Sequence, residues 1–189
     1  MKRYIKSAVQ SIEDLDWRSK YEIIQSPSAS PAMLHKYAKS EDINMVEEVA
    51  RHPNTPVEDL RELYEKGPRG INVYLAQNPN IPIDILEKLA KDSNVRVRWL
   101  VVRNPRVTDT ILEQLADDPD VDVMIELARC VTTPEHLLRK LAGSFNENVR
   151  KFVASNENTP TDVLRMLTKD GHWEVEERAW QNLEYRGEA

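Results

Sequence analysis

Four histidines, one cysteine and a large set of carboxylates are the residues of this 189-residue chain able to move protons, ligate metals or attack a substrate. The histidines, His35, His52, His136 and His172, are spread too widely to form the one-turn pair of a helical metal site, and metal binding needs several convergent ligands. Cys130 is alone, which excludes an internal disulfide and a cysteine-based zinc or iron–sulfur centre. It has no histidine near it in sequence to generate a thiolate, so it reads as a buried corner thiol rather than a nucleophile. Gly67, Gly70, Gly143, Gly171 and Gly187 form no phosphate-cradling motif. Glu58, Asp59, Glu62, Asp84, Glu87, Glu113, Asp117 and Asp118 are dense enough to offer the paired acid and base of a glycosidase. Their places, in first turns and on outward helix positions, instead suit helix dipoles and a solvated acidic face. These residue types therefore imply no catalytic residue, no metal and no cofactor.

The elements that carry these residues are set by a repeat. RHPNTPVEDL (51–60) and SNENTPTDVL (155–164) share an Asn-Thr-Pro core at an interval of four times 26 residues. Pro56, Pro82, Pro134 and Pro160 lie on the same 26-residue grid, Thr108 fills the remaining node, and Pro31 begins a first unit one residue shorter. Six units result. Leu60, Leu86, Leu112, Leu138 and Leu164 follow the anchors, and Leu63, Leu89, Leu115, Leu141 and Leu167 lie three residues further on; Leu34 and Tyr37 take these roles in the first unit. A spacing of three places each pair on one helical face, which defines helix A. Thr55-Pro56-Val57-Glu58 predicts its start, with Thr at the N-cap, Pro in the first turn and Glu closing a capping box.

A second helix, B, follows in each unit. VRVRWLVVRN, VDVMIELARC, NVRKFVASN and EVEERAWQN align on the grid, with inward pairs Val97/Val101, Val123/Leu127, Val149/Val153 and Val175/Ala179. Asn78, Asn104, Asn156 and Asn182 close these helices, as suits a residue that tolerates left-handed backbone. His52 and Cys130 stand in their place twice. Asp92 and Arg98 flank the A–B connection of the third unit, where they would make an ion pair within the repeat. A single unit cannot bury its own apolar face, so stacking must supply the core. The expected organisation is an N-terminal helical cap over 1–25, whose end resembles a stray helix B and which Trp17 and Tyr21 close, a repeat solenoid over 26–182, and a frayed tail over 183–189.

The recurring Asn-Pro-Asn-Thr-Pro, Leu-x-x-Leu-Ala and Val-Arg-x-x-Val-Ala-x-Asn elements, best seen in residues 78–105 and 148–160, resemble those of the leucine-rich repeat variant family. The resemblance covers about residues 26–182. It implies an all-α, right-handed α-solenoid of about six 25–26-residue two-helix repeats, akin to HEAT-like arrays. Some members of that family carry an N-terminal cysteine-ligated iron–sulfur cluster; this chain lacks the cysteines. The family brings no catalytic residues, and partner binding is its implied role.

Composition narrows the partner. The net charge is -6, charged residues make up 31%, and the longest clearly apolar run, Trp99 to Val102, is far too short for a membrane span. The first residues carry no apolar signal-peptide stretch, and with a single cysteine this predicts a soluble cytoplasmic protein with no membrane partner. No signature specifies an oligomeric state. On helix B, the positions outside the apolar framework include Val73, Tyr74, Trp99, Leu100, Ile125 and Phe152, flanked by Arg103, Arg129 and Lys151. Aromatic and apolar residues beside arginines have the composition of a protein-binding hot spot, so these nine residues are the expected partner site, provided the stripe faces out of the core. A protein or peptide is the expected partner. A nucleic-acid partner would use Arg96, Arg98 and Arg103 of the third unit with Arg150 and Lys151 of the fifth, but Asp122, Glu126, Glu174, Glu176 and Glu177 interrupt any basic track.

Overall fold

The computed structural model of the chain describes residues 15–189. The described residues form thirteen helices and no strand. Helix α1 (Trp17–Gln25) precedes six A/B pairs: α2 (Pro31–Tyr37) and α3 (Ile43–Arg51), α4 (Val57–Lys66) and α5 (Asn72–Leu75), α6 (Ile83–Leu89) and α7 (Val95–Val102), α8 (Asp109–Leu115) and α9 (Val121–Arg129), α10 (Glu135–Leu141) and α11 (Glu147–Ser155), α12 (Thr161–Leu167) and α13 (Trp173–Arg186). Most A helices are only two turns long, too short to persist in isolation, so packing must hold them. The leucines of both A-helix columns are buried along the whole array, and the inward B-helix pairs join them in one continuous core. Each such side chain contributes roughly 1.5–3 kcal/mol of burial. Each B helix packs on the next B helix, whereas the A helices sit further apart, so the array curves toward the B side. The result is an α-solenoid.

The corner between units works differently from its local sequence reading. Thr55 does not cap α4. Pro56 is the N-cap, and no side chain caps the helix there. The buried Thr55 hydroxyl instead donates to the Val49 carbonyl at 2.5 Å, back into the preceding helix. Thr133 does the same to Leu127 and Thr159 to Val153, each at 2.6 Å. Each of these carbonyls already accepts a backbone amide at the helix end, and the threonine hydroxyl uses its second lone pair. Where the proline is missing, Thr108 does act as an N-cap, accepting from the Ile111 amide.

The corner asparagines also differ from expectation. No residue other than glycine has a positive φ among the described residues, so they are not left-handed. Each donates its side-chain amide to two carbonyls of the unit before it. Asn78 reaches Ala50 and His52 at 2.9 and 2.8 Å, and Asn104 reaches Ala76 and Asn78 at 2.7 and 3.0 Å. Asn156 reaches Ala128 and Cys130, and Asn182 reaches Ala154 and Asn156. The amide oxygens of Asn78, Asn104 and Asn156 accept the backbone N–H two residues on. His52 does both jobs with a ring: Nδ1 accepts the Asn54 amide, so Nε2 carries the hydrogen, 3.0 Å from the Ser26 carbonyl. Asn54, Asn80 and Asn158 add a parallel line of links to Pro27 and Ala29, to Pro53 and to Val131. Both lines lapse at one corner. Cys130, half-buried rather than buried, and Thr132 contact each other at 3.1 Å there, where the other corners reach back.

The opposite edge, formed by the A–B loops, has its own linkage. Arg98 does not pair with the Asp92 carboxylate of its own unit; it spans to Asp118 of the next, at 2.7 and 2.8 Å, and meets Asp92 only at the backbone carbonyl. Arg150 and Asp170 repeat this at 2.7 and 2.8 Å, and Asn72 bonds Asp92 at 2.7 Å. In the second unit the loop 67–71 replaces most of helix B. Gly67 has no room there for a side chain, since an added Cβ would lie 2.3 Å from the Leu63 carbonyl oxygen.

At the N-terminal end, Trp17 and Tyr21 stack at 4.9 Å, and Tyr21 bonds Glu48 at 2.6 Å. Residues 1–14 of the cap expected over 1–25 lie outside the described residues. At the other end, helix α13 runs past Asn182 to Arg186, and Leu183 is buried, so this stretch is ordered helix rather than a frayed tail. Arg186 donates to the Asn156, Glu157 and Thr159 carbonyls, the first of which Asn182 also reaches.

Candidate functional site

All nine expected site residues lie on the B helices or at their ends, from α5 to α11. Val73, Tyr74, Trp99, Leu100, Ile125 and Phe152 are half-buried and packed against the core from its B side. They are thus neither interior nor fully presented. Trp99 and Ile125, with Val95 beneath them, form an open groove of about 420 Å³ between α7 and α9. Arg96, Asp122, Glu126 and Arg129 complete its walls. Helix α7 begins at Asn94, whose side chain accepts from the Arg96 amide, and α9 begins at Asp120, which accepts from the Asp122 amide. These caps fix the first turns, which bring Arg96 and Asp122 to the groove.

The groove's charges divide into paired and unpaired groups. Glu126 is buried, 3% exposed, and holds Arg103 across the two helices, while the Arg103 guanidinium lies 4.5 Å from the centre of the Trp99 ring. A cation over an indole face is favourable and keeps the ring in place. Arg129 sits 5.2 Å from the Phe152 ring, and Lys151 reaches Glu174 at 2.9 Å. The Arg96 guanidinium makes no hydrogen bond or ion pair with the described residues. Val73, Tyr74, Leu100, Lys151 and Phe152 do not line the groove but extend its surface on either side. The Tyr74 phenol is bonded to Glu47, which pushes its pKa above the ordinary tyrosine value.

Sequence reasoning passed over two features. Glu126 looked like an interruption of a basic stripe, yet it is the buried anchor of Arg103. Asp59 and Asp118, assigned to the solvated acidic face, are buried at 2% and 7% exposure, while Glu58, Glu62, Asp84, Glu87, Glu113 and Asp117 are exposed. No three residues among the described histidines, cysteine and carboxylates converge as metal ligands, and no described helix is long and apolar enough to cross a membrane.

No family model and no curated protein matches the chain. Among solved structures it is similar to a leucine-rich repeat variant with a novel repetitive structural motif, at 25% identity and a TM-score of 0.62, over 91% of this chain and 76% of that one. Repeat register and fold together make the chain a helical-repeat solenoid similar to the leucine-rich repeat variant.

Proposed function

We propose that the chain is a non-catalytic scaffold that binds a protein or peptide on its B-helix face, at the groove between α7 and α9. The reading rests on one observation: Trp99 and Ile125 form an apolar floor flanked by Arg96 and Arg129, neither of which is ion-paired among the described residues. A half-exposed aromatic beside arginines is the usual anchor of a protein interface. The complementary partner presents an apolar side chain with carboxylates beside it. A nucleic-acid partner is less well supported. Arg98, Arg103, Arg150 and Lys151 are committed to Asp118, Glu126, Asp170 and Glu174, which leaves no continuous line of cations for a phosphate backbone.

The test is affinity capture from native extract with wild type, with Trp99→Ala, and with Arg96→Glu/Arg129→Glu, each with and without nuclease. Loss of the same protein in both variants, with helicity retained, supports the reading. Retention of that protein by both folded variants, or recovery of nuclease-sensitive nucleic acid alone, defeats it.

A further inference from the structure

A second cavity, of about 360 Å³, opens on the loop edge between the first and second units, where the turn after α2 faces α4. Repeat register identifies this place. Its residues Ala38, Val46, Asp59, Glu62 and Lys66 correspond to Ala90, Arg98, Ile111, Gln114 and Asp118 two units later. There the Arg98 guanidinium bridges to Asp118, and Gln114 donates to the Ala90 carbonyl at 3.1 Å. Between the fifth and sixth units Arg150 and Asp170 do the same. At the first junction Val46 has no guanidinium to offer, and Lys66 replaces the aspartate. No arginine fills that place at this junction.

A carboxylate stands in this cavity at a position that is otherwise apolar. The register equivalents of Asp59 are Ile85, Ile111, Leu137 and Val163, all buried. Asp59 is 2% exposed; its Oδ1 accepts from His35 Nδ1 at 2.7 Å, while Oδ2 is buried without a hydrogen-bond partner. An acid placed in a core column and left half-satisfied costs stability unless something donates to it. Glu41 and Glu62 add negative charge at the rim, and Lys39 and Lys66 lie beside them.

We propose that this cavity is a binding site for a guanidinium group supplied from outside the chain, which takes the place that Arg98 and Arg150 fill elsewhere. A guanidinium is planar, always charged and a donor in several directions, so it can serve Asp59 and the turn carbonyls together. The group can belong to a small guanidino compound or to an arginine of a partner peptide. This site is separate from the B-helix groove and does not depend on it.

Agmatine, the peptide acetyl-Ala-Arg-Ala-amide and the neutral urea isostere of agmatine serve as probes, titrated into the full chain and followed by amide chemical shifts. Agmatine or the peptide should bind saturably and perturb residues 38–41 and 62–68, and whichever binds identifies the source; the urea isostere should not. Asp59→Asn should weaken binding about tenfold or more, as loss of a charged acceptor does. Val46→Arg/Lys66→Asp rebuilds the regular pair, fills the cavity and should abolish binding. Arg96→Glu/Arg129→Glu should leave it unchanged, which separates this site from the groove. Failure of both cationic probes to bind, equal binding of the urea isostere, or undiminished binding to Asp59→Asn overturns the proposal; if the double variant does not fold, Asp59→Asn carries the test.

Discussion

His52 reaches back to the Ser26 carbonyl, 3.0 Å from its Nε2, and so performs with an imidazole what asparagine performs at four other corners. The equivalence makes a direct prediction. His52→Asn should fold with stability within about 1 kcal/mol of wild type, because the bond to the Ser26 carbonyl is kept. His52→Ala should lose roughly 1–3 kcal/mol by leaving buried groups without partners. Urea denaturation of the two variants checks both.

Asn104 carries more. Its side chain donates twice and accepts once, all in a buried corner. Asn104→Ala should therefore cost about 2–4 kcal/mol, more than Asn80→Ala, whose side chain is exposed and makes a single link to Pro53. Equal losses in the two variants would argue against the corner as the site of cross-unit linkage.

The Arg150–Asp170 pair should be pH-sensitive in one direction. The hydrogen bonds from Arg150 hold the Asp170 carboxyl below the ordinary carboxylate value. A depressed folded-state pKa contributes stability above the unfolded value, roughly pH 4, and that contribution is lost as pH falls through the folded value. Arg150→Met should cost about 2–3 kcal/mol at neutral pH. Its deficit against wild type should shrink steadily below about pH 4.

Cys130 and Thr132 mark the corner where the links lapse. Cys130→Asn/Thr132→Asn supplies the missing donors and should raise stability by about 1–2 kcal/mol, with a higher melting temperature in calorimetry. A neutral or destabilising outcome would mean that this corner is spaced too widely for an asparagine to bridge.

The sequence carried the array in its apolar spacing. Leu60, Leu86, Leu112, Leu138 and Leu164 are buried because a fixed interval puts them on the same face of successive helices, and that follows from period alone. Thr55 misled because a capping box looks only forward along the chain, while its real partner, the Val49 carbonyl, lies six residues back at the end of the preceding helix. The asparagines were legible as corner residues but not as cross-links, since their partners lie a whole unit away. Asp59 was readable in principle: compared down its column with Ile85, Ile111, Leu137 and Val163, it is the charged residue in an apolar register. The groove at Trp99 and Ile125 was half legible. Composition marked the residues, but their half-buried state depends on how α7 and α9 lie against each other.

The lapse at Cys130 and Thr132 falls between the same two units whose B helices form the Trp99 groove. On the loop edge that junction is still pinned by Arg98 and Asp118. That junction is therefore held by charge where the others use corner amides: Arg98–Asp118 on the loop edge and Arg103–Glu126 between the two B helices. In a linear array, where stability is a sum of nearest-neighbour terms, this term is a salt-dependent one, and a guest that competes for Arg103 or Glu126 acts on the joint as well as on the groove.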